Sequence, residues 1–143
     1  MNNAIFGPML ALMVLTLLVW TWMYHKRLSF IIRNKVRTRD LKTPMQGARV
    51  FPEDVIYPGL NLTNLFELPV LFYALCLYLY VTGNVDQPYV ILAWAFVAGR
   101  AVHSLVHATV NNVNVRFIVY MLAAFVLWAM LGRAVYQYLV AAM

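Results

Sequence analysis

Carboxylates and cysteine are what this chain has least of. Five Asp and Glu stand against eleven Lys and Arg in 143 residues, and charged residues make up only 11% of the whole. Soluble domains usually carry about 25% charged residues, so composition excludes an ordinary water-exposed surface. The single cysteine, Cys76, excludes an intrachain disulfide and a CxxC pair. It lies in an apolar run, where a thiol is an inert packing group. There is no glycine-rich phosphate loop, which removes the P-loop class. Strict apolar/polar alternation is missing too, and with it the short strands that build a membrane barrel. Internal repeats and low-complexity stretches are absent.

What is present is apolar length. Hydrophobic residues make up 64% of the chain and aromatics 15%. Four runs, at 4–24, 62–81, 87–106 and 117–139, are long enough to cross a hydrocarbon core, which takes about 20 helical residues. The expected fold is all-α and integral to the membrane: a bundle of four transmembrane helices forming a single domain over 1–143. The first run has no positive residue before it and exceeds a signal-peptide core, so it is expected to remain as an uncleaved span. Short connections at 82–88 and 111–114 make successive spans antiparallel neighbours. In the longest connection, from His25 to about Asn61, residues 28–33 can prolong the first helix. Pro44, Gly47, Pro52, Pro58 and Gly59 are then expected to break the rest into loop.

The net charge of +6 does not indicate nucleic acid, because eight of the eleven basic residues fall between the first two spans. That asymmetry orients a membrane protein, with the basic loop in the cytoplasm and both termini outside. The expected setting is a bacterial inner membrane, where such a loop also attracts anionic headgroups.

The residues of greatest interest are charges where charges are costly. An ionised side chain at mid-bilayer costs about 2.5–3.5 kcal/mol on insertion scales, so it persists where it pairs or acts. Glu67 is expected roughly one and a half turns inside the second span. Arg100, His103 and His107 are spaced three and four apart, on one stripe of the third span. Arg116 opens the fourth. All five are expected at the cytoplasmic end, where positive groups outnumber the single carboxylate, and the surplus implies an anion. Arg133, close to Trp128 and Tyr136 at the other end, reads as a snorkelling side chain.

Other chemistries fit less well. Glu67, His103 and His107 could form a two-histidine, one-carboxylate site, but Arg100 on the same stripe repels a cation, and no metal is assigned. Ser104 is one residue off the stripe, which leaves no hydrolase nucleophile. Transport usually shows broken helices or inverted repeats, and neither is expected here.

The motif Asn64-Leu65-Phe66-Glu67-Leu68-Pro69, followed by Gly99-Arg100-Ala101-Val102-His103 and then Arg116, resembles the MAPEG family, membrane-associated proteins in eicosanoid and glutathione metabolism. Each motif is short, but their order, the large basic first loop and the spacing of the two arginines extend the likeness over nearly the whole chain. The resemblance implies a homotrimer with glutathione as co-substrate, bound between subunits near the cytoplasmic face. It implies that Arg37, Asn64, Glu67, Arg100 and His103 hold the tripeptide, and that Arg116 stabilises its thiolate. His107 stands where glutathione-using members often carry a tyrosine, and Phe117 where the prostaglandin E synthase branch has a serine. His107 is read as a second catalytic group, a proton donor or ligand contact. The expected function is glutathione-dependent transfer or peroxide reduction on lipophilic small molecules. The alternative is a non-catalytic protein binding lipid or acyl anions on the same scaffold.

Overall fold

The computed structural model describes residues 3–109 and 111–143, so the domain start expected at Met1 lies outside it. The α-helices described are α1 (Phe6–Asn34), α2 (Pro44–Val50), α3 (Glu53–Asn64), α4 (Leu68–Val81), α5 (Gln87–Ala108) and α6 (Val113–Ala141). Short 3-10 turns precede α1 and α2, and the described residues include no strand. Four stretches are long and apolar enough to cross a membrane: Asn3–Asn34, Glu53–Val81, Gln87–Ala108 and Val113–Ala141. The chain is thus a four-helix integral membrane protein. Leu17, Phe125 and other large apolar residues remain exposed along its flanks, as expected where hydrocarbon is the solvent.

The second span departs from expectation. It begins at Glu53 rather than Leu62, and Pro58 and Gly59 lie within α3 instead of ending it. Pro58 forfeits one backbone hydrogen bond. The helix persists because α3 lies against α1, where Gly59 lets the backbone approach Arg27 and Met23 and where Lys26 pairs with Asp54 at 2.9 Å. The true interruption comes later, at Leu65–Glu67, between α3 and α4. Pro69, in the first turn of α4, cannot donate to the Leu65 carbonyl, and its ring crowds that oxygen. Glu67 adopts φ −91°, ψ −99°, outside the helical region. The expected unbroken span is therefore a broken one, and Glu67 sits at the break rather than along a helix.

α5 is the central helix, packed against α6, α1 and α3. Phe72 of α4 and Phe96 of α5 stack at 4.8 Å between centroids in the buried core. Gly99 lets α5 and α6 approach closely, since a Cβ there would lie 2.9 Å from the Ala123 Cβ. Small residues at such crossings are how membrane helices gain contact without a hydrophobic driving force between them. Cys76 is buried in the same core as a free thiol.

At the end away from the basic loop, Arg133 does not snorkel. Its guanidinium grips Asp86 in a two-pronged pair at 2.7 and 2.5 Å and lies over the Tyr89 ring at 4.2 Å. Asp86 caps α5 by accepting the Tyr89 N–H, and the Tyr89 hydroxyl donates to Gln137 at 2.7 Å. The Arg133 hydrogen bonds hold the Asp86 carboxyl below the usual carboxylate range. The tight turn between α4 and α5 brings Asp86 level with α6, which the linear distance between the two residues conceals.

Candidate functional site

At the other end of the bundle, the polar residues of α3, α5 and α6 converge on the α3/α4 break. Arg100 is fully buried on α5, and its Nη2 donates to the Asn64 carbonyl at 2.7 Å. That carbonyl closes α3 and has lost its helical partner to the break, so a guanidinium replaces a peptide N–H. The rest of the Arg100 head lies over the Tyr120 ring, 5.2 Å from its centroid. The Tyr120 hydroxyl donates to Glu67 at 3.4 Å. Glu67 is exposed and makes no ion pair with Arg100 within 4 Å, although the two are near enough to interact electrostatically.

His103 lies one turn further along α5. Its Nδ1 sits 3.1 Å from the Arg116 carbonyl, which can only accept, so Nδ1 carries the proton. In the neutral ring Nε2 is then a free acceptor, and in the protonated ring a free donor. His107 follows, buried, with its ring 6.0 Å from His103 and 6.2 Å from Tyr57. Arg116 occupies the first turn of α6, the end at which a helix dipole disfavours a cation. Its Nη1 donates to Asn111 Oδ1 at 2.6 Å. Asn111 takes up a left-handed conformation, φ 44°, which asparagine tolerates better than most residues.

The arrangement is rich in donors and poor in acceptors. Arg100 Nε and Nη1, His103 Nε2, both His107 nitrogens and Arg116 Nε are enclosed without a hydrogen-bond partner. Native interiors rarely leave such groups unmatched. Guanidinium nitrogens can only donate, so the complement of this set is an anion with several oxygens. Among the described residues, no three of His, Cys, Asp and Glu come close enough together to form a metal-ligand group, Glu67, His103 and His107 included.

Comparison with known families yields one match. A family model for MAPEG proteins covers residues 5–136. The chain belongs to the MAPEG family. No curated protein and no solved structure matches it significantly.

Six of the seven residues expected in the MAPEG site gather here: Asn64, Glu67, Arg100, His103, His107 and Arg116. Arg37 does not. It lies exposed at the head of the 3-10 turn before α2, and its side chain bonds to none of the others. Asn64 contributes its backbone carbonyl rather than its amide. Sequence reasoning missed Tyr120, Tyr57 and Asn61. Tyr120 is one turn beyond Arg116, so the pair shares a face of α6. Tyr57, Asn61 and Asn64 follow a helical spacing that was hidden by reading Pro58-Gly59 as a loop. Ser104, set aside as off the stripe, is buried and donates to Asn61 Oδ1 at 3.1 Å, joining α5 to α3.

Proposed function

We propose that this MAPEG protein binds glutathione, or a related anionic thiol, at the basic end of its bundle and directs it against a lipophilic electrophile or peroxide arriving from the bilayer. The observation that carries this reading is the set of enclosed, unpartnered nitrogens on Arg100, His103, His107 and Arg116, of which those of the guanidinium groups can only donate, opposed by the lone carboxylate of Glu67. Glutathione has two carboxylates to meet the guanidinium groups and one ammonium to meet Glu67. Asn64, Glu67, Arg100 and His103 orient the tripeptide. Arg37 joins them only if the basic loop moves or a second subunit supplies it. Arg116, in the first turn of α6, favours the thiolate over the thiol, since a neighbouring cation lowers a thiol pKa. His103 Nε2, in the neutral ring, accepts the thiol proton, and His107 donates a proton or contacts the ligand. When bound, the thiol supplies the nucleophile: with an organic halide, a sulfur–carbon bond forms as halide leaves.

Family membership also supports homotrimeric assembly, with the exposed side around Glu67 and Phe117 closed by a second copy. The positive-inside bias supports a bacterial inner membrane with the basic loop cytoplasmic.

The test combines glutathione binding in detergent with conjugation of a generic aryl halide. Wild type is expected to bind at millimolar glutathione and to turn over. Arg116→Ala should keep the assembly while losing the ultraviolet absorbance of bound thiolate. No binding by wild type would sink the proposal, and binding without turnover would favour the non-catalytic alternative. Thiolate formation undiminished in Arg116→Ala would remove that residue's role.

A further inference from the structure

A different face of α3 borders a cavity of about 510 Å³, separate from the polar cluster. α1 contributes Arg27, the segment around α2 contributes Lys42, Thr43 and Phe51, and α3 contributes Ile56 and Leu60. The Arg27 guanidinium is tucked against the α3 backbone, where a Cβ on Gly59 would stand 2.5 Å from Nη2. Its carbon lies 5.9 Å from the Phe51 ring centroid. Despite this enclosure, Arg27 Nε has no hydrogen-bond partner.

No carboxylate is left to neutralise Arg27 or Lys42. The chain has five, and each is engaged elsewhere: Asp40 beside Arg39, Glu53 with Tyr57, Asp54 with Lys26, Glu67 with Tyr120 and Asp86 with Arg133. The Thr43 oxygen accepts the Gln46 N–H at 3.2 Å and keeps its own O–H free to donate. Two unpaired cations and a hydroxyl donor line the cavity together with Phe51, Ile56 and Leu60, which makes it an amphipathic seat. It is also placed at a boundary: Arg27 belongs to the apolar span Asn3–Asn34, while Lys42 lies beyond its end.

We propose that this cavity seats the phosphate of an anionic amphiphile, with Arg27 and Lys42 on the phosphate oxygens and the acyl chains against the apolar wall. A membrane phospholipid brings both halves of that chemistry, whereas free phosphate brings only the charge. The site is independent of the thiol site, since none of its residues belongs to the polar cluster.

Delipidated full-length protein in neutral detergent tests this through its unfolding midpoint, read against added phosphatidylglycerol, phosphatidylcholine or inorganic phosphate. Phosphatidylglycerol is expected to raise the midpoint saturably, and the other two to leave it near the detergent baseline. Each cation removed, in Arg27→Gln or Lys42→Gln, should weaken the phosphatidylglycerol effect about fivefold. Arg27→Gln loses packing against α3 and can fail to fold; exposed Lys42 has no such role, so Lys42→Gln carries the test alone if necessary. An equal response to phosphatidylcholine, or an unchanged response in Lys42→Gln, would overturn the proposal. A full effect from inorganic phosphate would overturn the amphiphile in favour of a soluble anion.

Discussion

Replacing Arg100 by methionine separates ligand binding from structural support. The substitution removes the bond to the Asn64 carbonyl, and a hydrogen bond to a charged donor contributes about 1.5–3 kcal/mol. It also removes the stacking on Tyr120, a cation–π contact of about 0.5–1 kcal/mol. Against this combined loss of about 2–4 kcal/mol stands the burial of a cation with two unpartnered nitrogens, whose desolvation costs several kcal/mol. The two sides nearly cancel, so Arg100→Met should change the stability of the ligand-free protein by less than about 2 kcal/mol. Binding should respond very differently. One lost charge-assisted bond to a ligand carboxylate, at about 1.5–3 kcal/mol, weakens glutathione binding about 10- to 150-fold. Unfolding in mixed micelles gives the first quantity and titration calorimetry the second. The reasoning fails if Arg100→Met destabilises the free protein by more than about 4 kcal/mol while glutathione affinity is unchanged, because Arg100 would then be a structural clamp.

Gly99→Val should destabilise the α5/α6 crossing by about 1–3 kcal/mol, since its Cβ would start 2.9 Å from that of Ala123; denaturant unfolding reads this directly. Ser104→Ala strands the buried Asn61 oxygen and should cost about 1–3 kcal/mol, most of it recovered when Asn61→Leu is added, a non-additivity that a double-mutant cycle would reveal. The depressed Asp86 carboxyl stabilises the fold fully above its unfolded pKa of about 4, and that contribution is lost as pH falls through the lower folded value. Unfolding midpoints measured on acidification should therefore fall in wild type, and fall less steeply in Asp86→Asn.

Much of the site was legible because polar residues in apolar runs announce themselves by their cost. Arg100, His103 and His107 share a stripe by spacing alone, and that stripe is buried in the bundle. The identity of their partners was not legible. The Asn64 carbonyl is a backbone group with no sequence signature, available only because Pro69 breaks the helix after it. Tyr57 and Asn61 were lost to a local rule, that Pro-Gly ends a helix, which packing of α3 against α1 overrode. The partners of Arg133 were hidden for a related reason: Asp86 and Tyr89 are distant from it in sequence and meet it only in the folded bundle.

Composition and hydropathy by themselves determined the class of molecule, the number of spans and the excess of buried cations, because bilayer thickness and the cost of burying charge act on any chain alike. Order and spacing of the motifs pointed to the family. Only the tertiary structure decided where the second span breaks, which nitrogens are left without acceptors, and that Arg37 stands apart from the cluster while Arg27 lines a cavity of its own. Those outcomes depend on contacts between helices distant in sequence, where a missing Cβ at Gly59 or Gly99 sets how closely two segments approach.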